Sequence, residues 1–482
     1  TAIIGAGIAG LASAVRLAHQ GQEVSVYEEQ AGPGGKLTQY TLGEYRFDLG
    51  PSLFTMPQYV DELFELAGEN PRDHFNYRRL PVVCHYFWED GTRIHAHAEA
   101  QDFADEVERT LNISGEHVLH MLSDAERKYQ ISGRTFLEKS LHRLDTWTNW
   151  QVMKAMLQIP SLGLFNTMDQ VHRQKVKHPK LVQLFNRFAT YNGSNPYRAP
   201  GLLTIIPHFE HHFGAYLPEG GMYSITEAVY NLAQRLGVKF HFNTKVDEIL
   251  VERQQVVGLR CGEQRLNYDQ VVSNMDIFFT YDQLLPQQPQ PKRILAQEKS
   301  TSALIFYWGI QRKFPELNCH NILFSEDYPA EFAALERGEM FHDPTVYINK
   351  TSHLVREDAP SGKENWFVMI NAPCDRGQDW DTLAQQTRER TLRKIQKILQ
   401  VDVAALIEEE FVLRPPEIQT RTGSHLGSLY GTSSNNRMAA FMRHPNFSRR
   451  ITNLHFVGGS VHPGGGIPLC LLSAKITADL IS

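Results

Sequence analysis

The chain has no CxxC pair, and its five cysteines (Cys84, Cys261, Cys319, Cys374 and Cys470) stand far apart. That spacing argues against a disulfide framework or a zinc site and fits a reducing compartment. No run of 18 apolar residues is present to span a bilayer, and no signal peptide is visible. A protein that lies on a membrane surface stays open. Excess positive charge is lacking too: the net charge of −6 leaves no broad basic surface, so nucleic acid is not an expected partner. There is no internal repeat and no low-complexity tail. What is present is 482 residues, 42% of them apolar, which is too long for one core and predicts two or three domains. The chain opens at Thr1, so close to its first glycine motif that we expect the natural strand and N-terminus to begin earlier.

The first 28 residues organise the rest. Ala2-Ile3-Ile4 reads as a buried parallel strand, and Gly5-Ala6-Gly7-Ile8-Ala9-Gly10 follows at once. Leu11, Val15 and Leu17 continue with helical spacing to Gly21, Val24 to Tyr27 is a second strand, and Glu28 stands at its end. This βαβ pattern predicts a dinucleotide site. Gly5 permits the tight turn, Gly7 lets the backbone approach a pyrophosphate, and Gly10 lets helix and strand pack closely. The helix start offers free N–H groups and the positive end of its dipole to phosphates. Glu28 is placed to accept hydrogen bonds from a ribose diol. An ADP-containing dinucleotide is expected.

A second glycine turn comes next, Gly32-Pro33-Gly34-Gly35-Lys36, then Phe47-Asp48-Leu49-Gly50-Pro51-Ser52. A nicotinamide dehydrogenase would proceed to its next strand–helix unit. Repeated glycine turns suit a flavin, whose ribityl chain must be followed by backbone at close range. Residues 58–68 have helical spacing, 82–88 and 93–97 read as a hairpin, and 102–190 look mainly helical with breaks at Pro160 and Pro179. Strand patterns return at 237–274, and Thr382 to Leu399 is a long helix. At the C-terminus a strand, Leu454 to Val457, leads into the loop Gly458-Gly459 to Gly464-Gly465-Gly466 and a helix beginning at Ile467-Pro468. That second anion-compatible helix start implies a return to the first sheet.

Gly5 to Gly10, Gly34-Gly35-Lys36, Phe47 to Pro51 and above all GGSVHPGGGIPLCLLSAK from Gly458 together resemble the bacterial-type carotenoid desaturases. These are FAD enzymes of the phytoene desaturase family, related in fold to flavin amine oxidases. Gly50-Pro51-Ser52-Leu53-Phe54 is similar to the hydroxycarotenoid 3,4-desaturase branch. The resemblance implies an α/β fold with a Rossmann-like FAD-binding domain, discontinuous in sequence, and a mixed α+β substrate domain. We place the FAD domain at 1–80, 220–275 and 430–482, and the substrate domain at 81–219 and 276–429. The FAD-binding residues it implies are Gly5, Gly7, Ala9, Gly10, Glu28, Gly34, Gly35, Lys36, Gly50, Pro51, Ser52, Val246, Gly458, Gly459, Gly465, Gly466 and Ile467. Two features depart from broader patterns: Lys36 replaces an arginine common in relatives, and the last loop lacks an Asp for the ribityl chain.

The reaction so implied turns CH2–CH2 beside a polyene into CH=CH. A hydride leaves for flavin N5, the cation spreads along the conjugated chain, and a neighbouring carbon loses a proton. Gly465 and Gly466, with the helix start behind them, are candidates to stabilise the charge that develops on the flavin. Glu210, in Pro207-His208-Phe209-Glu210-His211-His212, is a candidate to stabilise the cation or take the proton; a structural carboxylate is the rival reading. HFEHH is not the HExxH spacing of a zinc protease, and no metal is expected. The substrate is a long carotenoid, and oxygen or a quinone is the expected electron acceptor. The Trp- and Met-rich stretch 147–168 is a candidate for peripheral contact with the membrane from the cytoplasmic side, with core packing as its rival. Phytoene desaturase, carotenoid isomerase and amine oxidase are alternative activities on this fold, and a prenyl-lipid carrier of the escort type is the non-enzyme alternative.

Overall fold

The computed structural model describes all residues except 134–136, 149–157, 159–161, 437, 439–441 and 482. Five short parallel strands carry the glycine motifs: β1 (Ala2–Ile4), β2 (Ser25–Tyr27), β3 (Lys239–His241), β4 (Val271–Ser273) and β5 (Leu454–Phe456). Their order is β3-β2-β1-β4-β5, with Ile3 in register between Val26 and Val272. The inner strands are apolar on both sides because both faces of the sheet are covered. On one face lie helix α1 (Ile8–His19) and the helices Tyr223–Arg235 and Ile467–Ile481, sharing a core with Val26 and Val272. On the other, an antiparallel sheet of Glu248–Glu252, Gln255–Cys261 and Gln264–Asn267 packs with Ile4 and Tyr27. Helix α1 is buried along Ile8 to Leu17, which its small and aliphatic residues allow, and it ends at Gly21 with φ +84°.

A second sheet has seven strands, in the order Ile407–Leu413, Ser302–Ile310, Glu364–Ala372, Val346–Asn349, His320–Leu323, Val82–Phe87 and Arg93–His97. The predicted hairpin of 82–88 and 93–97 supplies one edge. Side chains alternate across the pleat. Trp308, Trp366, Val368 and Ile348 pack on the helix Trp380–Leu399. Tyr307, Phe367, Tyr347 and Met369, paired with one another in register, share the opposite, inner face. The hairpin of Gln39–Leu42 and Tyr45–Asp48 leans on that face, where Tyr45 and Phe47 join the cluster of Tyr307 and Phe367.

Within 102–190 the helices include Ala100–Leu111, Glu116–Lys128, Met168–Lys175 and Pro179–Asn186. Pro179 starts a helix rather than breaking one, since its missing N–H costs nothing in a first turn. Most of the apolar stretch 147–168 lies outside the described residues. Of its described members, Leu162 and Met168 are buried in the interior, whereas Phe165 is 67% exposed. No helix among the described residues is long and apolar enough to cross a membrane.

Candidate active site

The glycine turns meet at the carboxyl ends of β1 and β4. Helix α1 is capped by Gly7 with no side-chain hydrogen bond, which leaves the Ile8 and Ala9 amides at its start to face an anion. Gly34 N–H donates to the Ala6 carbonyl at 2.9 Å, and Gly7 and Gly34 form a parallel bridge. A Cβ on Gly35 would lie 3.4 Å from Gly7 Cα, and one on Gly50 would run into the Lys36 carbonyl. The turns at 5–10, 34–36 and 50–52 therefore form one continuous surface of backbone.

Asn274, at the end of the apolar strand β4 with no motif of its own, ties this surface to the C-terminal loop. Its Oδ1 accepts from Gly10 N–H at 3.1 Å and its Nδ2 donates to the Val457 carbonyl at 3.1 Å. A Cβ on Gly7 or Gly458 would meet the Asn274 amide at 2.8 or 2.6 Å. Ala9 is buried beside Gly458. We expect Asn274→Leu to weaken flavin retention five- to a hundredfold, from about 1–3 kcal/mol for the buried N–H and C=O left without partners. Flavin loss during dialysis, read by absorbance against wild type, checks this.

Glu28 stands at the end of β2. Its Oε2 accepts from Ala6 N–H at 2.7 Å and its Oε1 from Gln30 N–H at 2.9 Å. A carboxylate has about four acceptor sites, so two ribose hydroxyls are still accommodated. Val246 is buried in the cluster of Ile4 and Tyr27 nearby. Lys36 Nζ donates to the Leu429 carbonyl at 2.8 Å; burial pulls its ammonium down, and the charge of Asp276 opposes that shift. In the C-terminal loop a Cβ on Gly459 would sit 3.2 Å from Gly465 Cα, and one on Gly465 would be 2.9 Å from Tyr430 Cα. Gly466 adopts φ +112° with open space around it, and Ile467 buries its side chain as the helix begins. Lys36, Tyr430, Cys470 and Tyr347 are half-buried. Glycines at each close approach and the anion-ready amides of the helix start together fit a flavin dinucleotide.

From Gly50 and Pro51 the surface passes to the large sheet. Ser52 Oγ lies 2.8 Å from Tyr347 Oη, which is 2.7 Å from His320 Nδ1. Burial pushes the Tyr347 hydroxyl up and pulls His320 down to about 3, so both are neutral near pH 7. Neither residue carried a sequence signal. Glu210 is placed differently. Its carboxylate accepts from Arg187 Nη2 at 2.7 Å and from the Tyr191 hydroxyl, not from a cofactor-loop residue. Both members of the ion pair are buried; burial pushes the Glu210 carboxyl up and the Arg187 charge opposes it. The three histidines of that segment are held in ring stacks. His208 stacks on His212 with centroids 4.3 Å apart, and His211 stacks on Phe103 at 5.1 Å.

A parallel sheet whose glycine turns converge at its carboxyl ends, beside a larger mixed sheet, has the arrangement of a flavoprotein, and the chain belongs to the flavin-containing amine oxidoreductase family, which it matches over residues 8–482. The 1-hydroxycarotenoid 3,4-desaturase of Flavobacterium sp. (strain P99-3) is 51% identical over 480 residues, covering 99% of this chain and 98% of that protein. A 4,4'-diapophytoene desaturase of Staphylococcus aureus (strain bovine RF122 / ET3-1) is 28% identical, with 99% and 97% covered. Among solved structures, putrescine oxidase bound to putrescine superposes with a TM-score of 0.66 at 13% identity, covering 100% of this chain and 98% of that one; this likeness shows the fold.

Proposed function

We propose that this chain is an FAD-dependent carotenoid desaturase of the 1-hydroxycarotenoid 3,4 type. The observation that carries the reading is the end-to-end identity of 51% with the Flavobacterium enzyme. That relative, rather than the fold, separates it from phytoene desaturase, carotenoid isomerase, amine oxidase and a prenyl-lipid carrier. FAD, when bound, supplies a centre that accepts hydride. The chain's own residues do the rest: the α1 start holds the pyrophosphate, Glu28 the ribose, and Gly34–Lys36, Gly50–Ser52 and Gly458–Ile467 follow the ring and ribityl end. In this reading 1–80, 220–275 and 430–482 serve the cofactor, and 81–219 and 276–429 the substrate.

Tyr347 and Met369 on the inner face, and Phe209, Phe213 and Leu469, are half-buried apolar groups. Such surfaces suit a polyene, which needs position and dryness more than hydrogen bonds. A hydroxyl on C1 lies two carbons from C3, so the chain end must enter beside the flavin. Expression in a host that accumulates a 1-hydroxycarotenoid tests the reading. One added conjugated double bond, seen as a red-shifted product by chromatography, is expected. Unchanged pigment alongside flavin-loaded protein would sink it.

We further infer peripheral membrane contact from the cytoplasmic side, supported by a water-insoluble substrate and by exposed Phe165 and Met438. Liposome flotation should carry wild type upward and release a Phe165→Glu, Met438→Glu variant; equal flotation of both would place the contact elsewhere. Oxygen or a quinone is the proposed final acceptor.

A further inference from the structure

Arg443 is 3% exposed, and it forms no ion pair among the described residues. Its guanidinium has five N–H donors to satisfy. The contacts it makes are long: Nη1 to the Tyr430 carbonyl at 3.5 Å and Nη2 to Ser434 Oγ at 3.4 Å. The plane lies against the last glycine loop, where a Cβ on Gly464 would be 3.1 Å from Arg443 Cζ. The charges that reach it are of its own sign. Lys299 and His462 are both pulled down, first by burial and further by Arg443. Burial lowers the guanidinium to about 10, which still leaves it charged near neutral pH. Asp276, the acid of this neighbourhood, acts on Lys36 and Lys299.

A buried cation without a counter-ion is among the most costly arrangements a protein can hold. It makes sense where negative charge arrives during function, because a charge fixed in advance stabilises it without reorganisation. Tyr430, whose carbonyl Arg443 approaches, is half-buried and packs against Gly465 of the same loop. A flavin that has accepted hydride at N5 carries negative charge along its N1–C2=O2 edge. We propose that Arg443 is the positive charge held behind Gly464 and Gly465 to stabilise the anionic reduced flavin. The proposal rests on the FAD reading above and adds a residue to it.

Sulfite provides the test, since it adds at flavin N5 and leaves the same negative charge on the ring without any carotenoid. In purified holoenzyme, Arg443→Gln should weaken sulfite binding at least tenfold. It should also lower the two-electron midpoint potential, by about 30 mV for each tenfold. Arg443→Lys, which keeps the charge, should stay within about threefold of wild type. An Arg443→Gln protein with full flavin and wild-type sulfite affinity and potential would overturn the proposal, leaving Arg443 a structural residue. If that variant loses its flavin, wild type decides: no sulfite adduct at saturating sulfite overturns the proposal, and an adduct that Arg443→Lys retains supports it. Mass spectrometry of the released cofactor keeps the two readings apart, because a nicotinamide nucleotide would sink the flavin assignment itself, whatever Arg443 does.

Discussion

Gly10→Ala protein should emerge from purification without its flavin. A Cβ at residue 10 would come closer than 3.0 Å to the Gly5 carbonyl oxygen and would meet Asn274 Oδ1 at 3.0 Å. Neither neighbour can yield. Gly5 is held through its N–H to the Tyr27 carbonyl at 2.8 Å, and Asn274 is tied to Val457. Helix α1 would have to back away from β1, carrying its free amides off the pyrophosphate. Overpacking of this kind costs about 1–3 kcal/mol in fold stability. The loss of aligned charge-assisted hydrogen bonds, at about 1.5–3 kcal/mol each, falls on cofactor affinity. Together these amount to a hundredfold or greater drop in FAD affinity. The ratio of released flavin to protein checks it, and circular dichroism confirms that the variant is folded. Gly466→Ala is the contrast. Its Cβ meets open space and only φ +112° resists it, so most of the flavin should stay bound. Full occupancy in Gly10→Ala would mean that the helix start is not the phosphate site.

Arg187→Met should destabilise the fold more than any surface change. Arg187 donates to Tyr86 Oη at 2.6 Å and to Glu210 at 2.7 Å, and its guanidinium lies 4.2 Å from the Phe188 ring centre. Removing it strands the Glu210 carboxylate in the interior, a change that costs about 3–5 kcal/mol. The variant's pH dependence has a definite sign. With the opposing cation gone, burial raises the folded-state carboxyl further above its unfolded value. The folded state then binds more protons than the unfolded one, and stability falls as pH rises from the ordinary carboxylate range up through the raised folded-state value. The deficit against wild type should therefore be smallest in mild acid and largest above neutrality. Arg187→Met/Glu210→Gln removes the charge and should regain most of the loss. Thermal unfolding of the three proteins across pH is the measurement. A deficit that the double variant fails to relieve would show that Arg187 matters through its packing on Phe188 and Tyr86.

How much of the site could be read in advance follows the range of the interactions that build it. Gly5 to Glu28 was legible because its constraints are local: a tight turn, a helix start and a strand end within one βαβ unit. Ile467-Pro468 after a run of glycines was legible for the same reason, a helix start being a property of consecutive residues. Asn274 was not. Its side chain matters because β4 lies between β1 and β5, and that order is set by strands far apart in the chain, as the pairing of Ala2 with Val271 and of Val271 with Leu454 shows. The same holds for Tyr347 and His320. They reach Ser52, 295 residues away from Tyr347, only because antiparallel pairing turns both onto the inner face. Glu210 could be singled out from the sequence, but its partner could not. The ion pair to Arg187 spans two separate helical segments, and no periodicity links them. Arg443 reads as an ordinary basic residue until folding buries it against Gly464. Local geometry is written in neighbouring residues, so the sequence alone determined the cofactor class and the glycine turns at the helix starts. Burial and long-range register exist only once the sheets have closed, so tertiary structure alone decided which polar groups reach the glycine turns and which lack a partner.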